Sequence, residues 1–253
     1  MRPEWASRAR CAGSPWPPGC GLLYDPRMTL LRAFWLSPIL LAVSCGGLTS
    51  DPVGPPGLVL PGTTDYLHGF PAQNEDGSVN VVVEIPAGTD GKWEVTKPDG
   101  KLAWEVRDGT PRVVQYLGYP GNYGMIPRTL LPKEAGGDGD PLDVLVLGPA
   151  LKRGSCARVR VIGVLELLDG GEQDDKLLGV MPGTPLGHVS SLAQLDGEFP
   201  GVTSIVETWF TNYKGKDDEG QPRMISRGFA GKERAEMILE TSIQSYVPKK
   251  AAH

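Results

Sequence analysis

From residue 79 onward, short apolar runs rich in β-branched residues alternate with turns of Gly, Pro and Asp. Val79-Asn80-Val81-Val82-Val83-Glu84-Ile85 predicts a strand, stopped by Pro86. Trp93-Glu94-Val95-Thr96 alternates and predicts a second strand, followed by a turn at Pro98-Asp99-Gly100. Arg112-Val113-Val114 predicts a strand edge. Residues 144–147 (Val-Leu-Val-Leu) predict a buried strand, and residues 158–165 a long one. Many short strands with Gly/Pro turns point to a compact barrel. Helical spacing comes late. Val202, Ile205, Val206, Trp209, Phe210 and Tyr213 form one apolar stripe; Ala235, Ile238, Leu239, Ile243 and Tyr246 form another. These stripes read as core, with no chemistry assigned to Trp209 or Phe210. The expected architecture is a mainly β domain over residues 66–250, a barrel flanked by helices.

The first 65 residues follow other rules. Residues 1–27 are rich in Pro, Gly, Arg and Trp without periodicity, and read as an extension ahead of a true start at Met28. Residues 28–45 read as a leader: Arg32, eleven residues from Ala33 to Val43, then Ser44-Cys45. That run falls short of the roughly 20 apolar residues a membrane span needs. Ala42-Val43-Ser44-Cys45 resembles a bacterial lipoprotein signal. The expectation is an exported protein, periplasmic or held to the membrane by a lipid on Cys45, with simple cleavage as the alternative. Residues 46–65 are Pro/Gly-rich and read as a flexible tether.

Charge narrows the function. The net charge is −5, and residues 45–253 carry 20 basic and 28 acidic side chains, a net −8. A nucleic-acid binder normally shows the opposite balance, so no nucleic-acid partner is expected. The cysteines are Cys11, Cys20, Cys45 and Cys156, which leaves Cys156 alone in the body. With three histidines, no CxxC and no HExxH, zinc-hydrolase and Ser-His-Asp chemistry is poorly supported.

The most informative segment is Gly136-Gly137-Asp138-Gly139-Asp140-Pro141-Leu142-Asp143, just before the strand at 144–147. It reads as an acidic loop with its third Asp at the strand's edge. Asp, Gly and Pro are also ordinary turn formers. Two carboxylates about 4 Å apart repel by about 4 kcal/mol at an effective dielectric near 20. Hard divalent cations with oxygen ligands relieve that repulsion. A calcium EF-hand loop does not fit, because its carboxylates recur at every second position before a Gly and that spacing breaks at Pro141-Leu142.

Around this segment the chain resembles the soluble family I inorganic pyrophosphatases. Asp138-Gly139-Asp140-Pro141-Leu142-Asp143-Val144 is similar to that family's diagnostic segment. Glu84-Ile85-Pro86, Lys92-Trp93-Glu94, Tyr119-Pro120-Gly121-Asn122-Tyr123-Gly124, Asp169 with Asp174 and Lys176, and Tyr213-Lys214 follow the family's order. The resemblance spans residues 66–246. It implies a small closed five-stranded, OB-like β-barrel flanked by helices. It also implies hydrolysis of pyrophosphate to two phosphates with Mg²⁺ as cofactor, Mn²⁺ being the other candidate. Asp138, Asp143 and Asp174 would hold the metals that activate water, and Asp169 would join Asp174 on a substrate-borne metal. Glu84 and Glu94 would make further metal or water contacts, and Asp140 would be the general base. Lys92, Arg112, Tyr123, Lys176, Tyr213 and Lys214 would grip phosphate, with Arg107 the alternative to Arg112. A homo-oligomer is compatible with the resemblance. Two other readings remain at this stage: a hydrolase of larger diphosphates, and a non-catalytic barrel that binds metal, phosphate or an oligonucleotide.

Overall fold

A computed structural model describes residues 57–97 and 99–246. Residues 1–27, the leader-like segment 28–45 with Cys45, and the tether up to residue 56 lie outside the described residues. The first strands are β1 (Val79–Ile85), β2 (Trp93–Val95), β3 (Leu102–Trp104), β4 (Val106–Arg107), β5 (Thr110–Pro111) and β6 (Asn122–Met125). A 3₁₀ turn at Lys133–Ala135 precedes β7 (Asp143–Leu147), β8 (Cys156–Asp169), β9 (Glu172–Gln173) and β10 (Lys176–Val180). Helices α1 (Leu192–Glu198) and α2 (Val202–Asn212), strand β11 (Met224–Ala230) and helix α3 (Lys232–Ser245) complete the order.

Five strands close on themselves. β1 pairs antiparallel with β6, β6 with β7, β7 in parallel with β10, and β10 antiparallel with β8. β8 then pairs back to β1, Val79 opposite Val159 and Val82 opposite Cys156. The ladder is therefore a ring without a free edge among these five, the small barrel expected from the resemblance. β8 is long enough to serve β1, β10, β9 and β11.

The apolar runs are continuous because both faces of the barrel wall are covered. All seven residues of β1 are buried. Along β7 the two-residue period divides the side chains. Val144 and Val146 join Val79, Val81, Val159 and Leu177 in a cluster that includes Ile238 and Leu239 of α3. Leu145 and Leu147 join Ile162, Leu165 and Leu178 against Val206, Trp209 and Phe210 of α2. Each fully buried Leu or Phe of this kind stabilises the fold by about 1.5–3 kcal/mol. Gly124 lets β6 approach β1: a Cβ there would lie 1.9 Å from the Val82 carbonyl oxygen.

The structure departs from the sequence expectations in several places. Arg112-Val113-Val114 is not a strand; Val113 makes only a single bridge, to Gly91. Ile205, counted in the α2 stripe, is 62% exposed, so the buried face narrows to Val206, Trp209 and Phe210. Helix α1 buries only Leu195 and so presents no stripe to read; Ser191 starts it by accepting the Gln194 N–H at 3.2 Å. The segment expected to be tether up to residue 65 is folded from Leu58. Trp104 N–H donates to the Leu58 carbonyl and Leu60 N–H to the Leu102 carbonyl, adding a short edge beside β3. Among the described residues no helix is long and apolar enough to cross a membrane.

Candidate active site

The last turn of β1 aims Glu84 inward. The β1–β6 register shifts between Val83 and Ile85, so Glu84 sits at a bulge. Its carboxylate, 4% exposed, accepts the Val95 N–H at 2.7 Å. Burial pushes its pKa up to about 8, against the pull of Lys92 and with a further push from Asp143. The β2–β3 hairpin brings Lys92 and Glu94 alongside. Burial opposes charge on Lys92, yet Tyr119, Glu84 and Asp143 outweigh it and hold the ammonium above the ordinary lysine range. The Lys92 ammonium lies 5.3 Å from the centre of the Tyr123 ring. Glu94 is raised chiefly by burial, with Glu105 and Asp140 adding to it.

The acidic loop is built around a left-handed glycine. Gly139 has φ +79°, and the Asp140 N–H donates to Asp138 Oδ1 at 2.8 Å across it. The Leu131 N–H donates to the Asp140 carbonyl at 2.8 Å, which ties the loop down. Burial raises Asp138 to about 6; the Asp140 N–H opposes this, and Asp140, Asp143 and Asp174 add to it. The exposed Lys97 ammonium pairs with the half-exposed Asp140 carboxylate. Asp143 opens β7, as expected for the strand's edge.

The parallel β7–β10 pairing sets Lys176 directly beside Asp143. Lys176 is 2% exposed; it donates to Asp143 Oδ2 at 2.6 Å and to Asp174 Oδ1. Burial alone would lower its pKa, but Asp143 and Asp174 hold it well above the ordinary range. Tyr123, across the β6–β7 ladder, donates its hydroxyl to the same Asp143 oxygen at 2.5 Å. Asp174 and Asp175 point apart. Asp175 accepts from the Leu167 N–H at 3.0 Å and from Gln173 Nε2 at 2.5 Å, which makes it a structural carboxylate.

The remaining site residues lie around this cluster. Asp169, at the end of β8, pairs with Lys214. Tyr213 caps the C-terminus of α2, stacked on Trp209 at 4.5 Å and 14°. Burial raises its pKa well above the tyrosine range, and the charges of Lys176, Asp174 and Asp143 reach it. Arg112 is half-buried and pairs with Glu105 Oε2 at 2.5 Å. Its charge acts on Glu94 and Tyr119, which places it beside the cluster. Arg107 is exposed and meets only the other Glu105 oxygen, at 3.3 Å.

A cleft of about 530 Å³ opens over these groups, and Glu84, Lys92, Glu94, Tyr123, Asp138, Asp140 and Asp143 line it. Asp174 and Lys176 reach it through Asp143; Asp169, Lys214, Tyr213 and Arg112 stand outside its lining. Among the described residues no three carboxylates converge closely enough to hold a metal ion, and lysines pair with Asp140, Asp143, Asp174 and Asp169. Thr96 and Lys97 also line the cleft and were not singled out from sequence. A lysine three residues after Glu94 in a turn carries no signal of its own.

Fold and cleft together define a small closed β-barrel bearing a carboxylate site braced by lysines. A family model described as inorganic pyrophosphatase matches residues 81–247. The inorganic pyrophosphatase of Corynebacterium efficiens is 35% identical over 170 residues, covering 67% of this chain and 98% of that protein. The mitochondrial inorganic pyrophosphatase of Saccharomyces cerevisiae is 34% identical, over 59% of this chain and 55% of its own length. The solved inorganic pyrophosphatase of Helicobacter pylori superposes with a TM-score of 0.57 at 31% identity, covering 70% of this chain and 98% of that one. This chain belongs to the inorganic pyrophosphatase family. It spans a little over half the length of several curated relatives, 54% of the Drosophila melanogaster protein among them. The comparisons correct one expectation, that of an exported lipoprotein. The relatives carry names such as soluble, mitochondrial and chloroplastic inorganic pyrophosphatase. The apolar run and Cys45 that suggested export lie outside both the matched and the described residues.

Proposed function

We propose that residues 66–250 form a metal-dependent inorganic diphosphatase, which hydrolyses pyrophosphate to two phosphates with Mg²⁺ as its metal. The observation that carries this reading is the bonded chain Tyr123–Asp143–Lys176–Asp174 beside Glu84, Asp138 and Asp140 in one cleft. Membership of the family supplies the substrate.

The donor set fits hard cations. Every candidate ligand is a carboxylate oxygen, and burial and crowding raise Glu84 and Asp138. Asp138, Asp143 and Asp174 would hold the cations nearest the attacking water, with Asp169 joining Asp174 on the substrate side and Glu84 and Glu94 at the edge. When bound, the cations neutralise phosphate charge and make an attacking water more acidic.

The chain's own groups do the rest. Asp140 takes the proton from the attacking water. Lys92, Lys176 and Lys214 present compact positive charges to phosphate oxygens, and Arg112 offers a planar fork. Tyr123 and Tyr213 stay protonated and donate O–H bonds. Positioning and charge neutralisation are most of what phosphoryl transfer asks of a protein.

The test is phosphate release from pyrophosphate by the full chain. Turnover is expected with millimolar Mg²⁺ and is expected to vanish with excess chelator. Release that ignores the chelator, or none with Mg²⁺, would refute the proposal.

A further inference from the structure

We infer that Arg153 is a positioning residue that locks the hairpin bearing Lys92 and Glu94 onto the end of β1 bearing Glu84; the inference rests on the function proposed above. Glu84 has no register partner in β6, because the β1–β6 pairing shifts between Val83 and Ile85. Arg153 Nε donates to the Glu84 backbone carbonyl at 3.0 Å. The same guanidinium lies 4.6 Å from the centre of the Trp93 ring, between Lys92 and Glu94 in sequence. Trp93 stacks on Trp104 at 5.4 Å and 30°, and Trp104 Nε1 donates to the Arg112 carbonyl at 2.7 Å. One side chain thus links Glu84 to the segments carrying Lys92, Glu94 and Arg112.

The anchor of Arg153 is itself rigid. The turn that carries it is fixed to β1 on both sides: the Gly154 N–H donates to the Val83 carbonyl at 2.7 Å, and the Val83 N–H to the Ser155 carbonyl at 2.9 Å. Burial lowers the arginine's pKa, which marks a guanidinium partly withdrawn from water. Its contacts need a plane as well as a charge. A lysine could reach the carbonyl but could not lie flat on the indole. Arg153 itself lies outside the cleft lining, so its effect passes through Glu84, Lys92 and Glu94.

The test compares the full chain with Arg153→Met and Arg153→Lys. It reads kcat and KM for pyrophosphate at saturating Mg²⁺, and the far-ultraviolet exciton signal of the Trp93–Trp104 stack without metal or substrate. Trp93→Phe assigns that signal. Arg153→Met is expected to lower kcat about tenfold, KM changing less than about twofold, because misplaced groups slow the reaction steeply. It is also expected to weaken the exciton signal. Arg153→Lys is expected to fall between, at about threefold in kcat. Unchanged kcat and exciton signal in Arg153→Met would overturn the inference. Should that variant fail to fold, Arg153→Lys decides: parental kcat and signal overturn the inference, and a loss in both supports it. Failure of the unaltered chain to hydrolyse pyrophosphate would refute the proposed function, while the exciton comparison would still decide whether Arg153 orients the hairpin.

Discussion

An Asp140→Asn variant is expected to fold normally, to bind divalent cations, and to release phosphate about 10²–10⁴-fold more slowly, the usual worth of a general base. The amide has nearly the same shape as the carboxylate but cannot accept the water's proton at neutral pH. The loop does not depend on this side chain. Its backbone bonds run through the Asp140 N–H and carbonyl, which the substitution leaves in place. The ion pair with Lys97 is half exposed on both sides, so its loss costs at most about 1 kcal/mol. Cation affinity should fall only in part, because Asp138, Asp143 and Asp174 remain. The split between turnover and metal binding is the diagnostic result. A variant that kept a tenth or more of the parent rate would remove Asp140 as the base, and one that lost cations altogether would recast it as a ligand.

Replacing Lys176 by methionine should do two kinds of damage. The side chain is 2% exposed and binds Asp143 and Asp174 at once. Methionine fills similar space but leaves two carboxylates facing each other without their counter-charge. Breaking a buried pair in this way costs about 3–5 kcal/mol. The loss should be largest in chelator and smaller with Mg²⁺, since cations between the same carboxylates restore the missing charge. Denaturant unfolding of both proteins, with and without Mg²⁺, measures the difference. Turnover should also fall sharply, because phosphate loses a buried positive charge. Equal stability losses in both conditions would mean that Asp143 and Asp174 do not share a cation.

Strands buried on both faces were legible from sequence. The runs at 79–85 and 144–147 need no alternation to be recognised, because solvent reaches neither side; the run at 158–165 starts with alternation, Arg158 exposed and Arg160 half-buried, and is buried on both faces from Val161. The helices at α2 and α3 were legible from their stripes. β6 was hidden, since Asn122-Tyr123-Gly124-Met125 has no apolar run and follows Pro120-Gly121. Its glycine serves the tight approach to Val82. The edge at Leu58–Leu60 was hidden by surrounding Pro and Gly. Its order comes from β3, which is distant in sequence.

The site divides along the same line. Candidate acids and lysines could be listed segment by segment, but not how they meet. Asp174 was carried over by resemblance, with nothing in the sequence to set it physically apart from its neighbour Asp175. The structure separates them physically: Asp174 turns to Lys176, and Asp175 to Leu167 and Gln173. Arg112 and Arg107 also differ in setting: Arg112 is half-buried and its charge reaches Glu94, whereas Arg107 is exposed. Arg153 gave no local signal, because its partners are a backbone carbonyl and an indole far off in the chain.

The most direct measurement is a crystal structure of the full chain grown with Mn²⁺, read by the metal's anomalous scattering. The account predicts manganese peaks in the cleft, bound by oxygens of Asp138, Asp143 and Asp174, with the Lys176 ammonium drawn away from at least one of its two carboxylates. Manganese absent from the cleft, with Lys176 still bridging Asp143 and Asp174 at saturating metal, would contradict it.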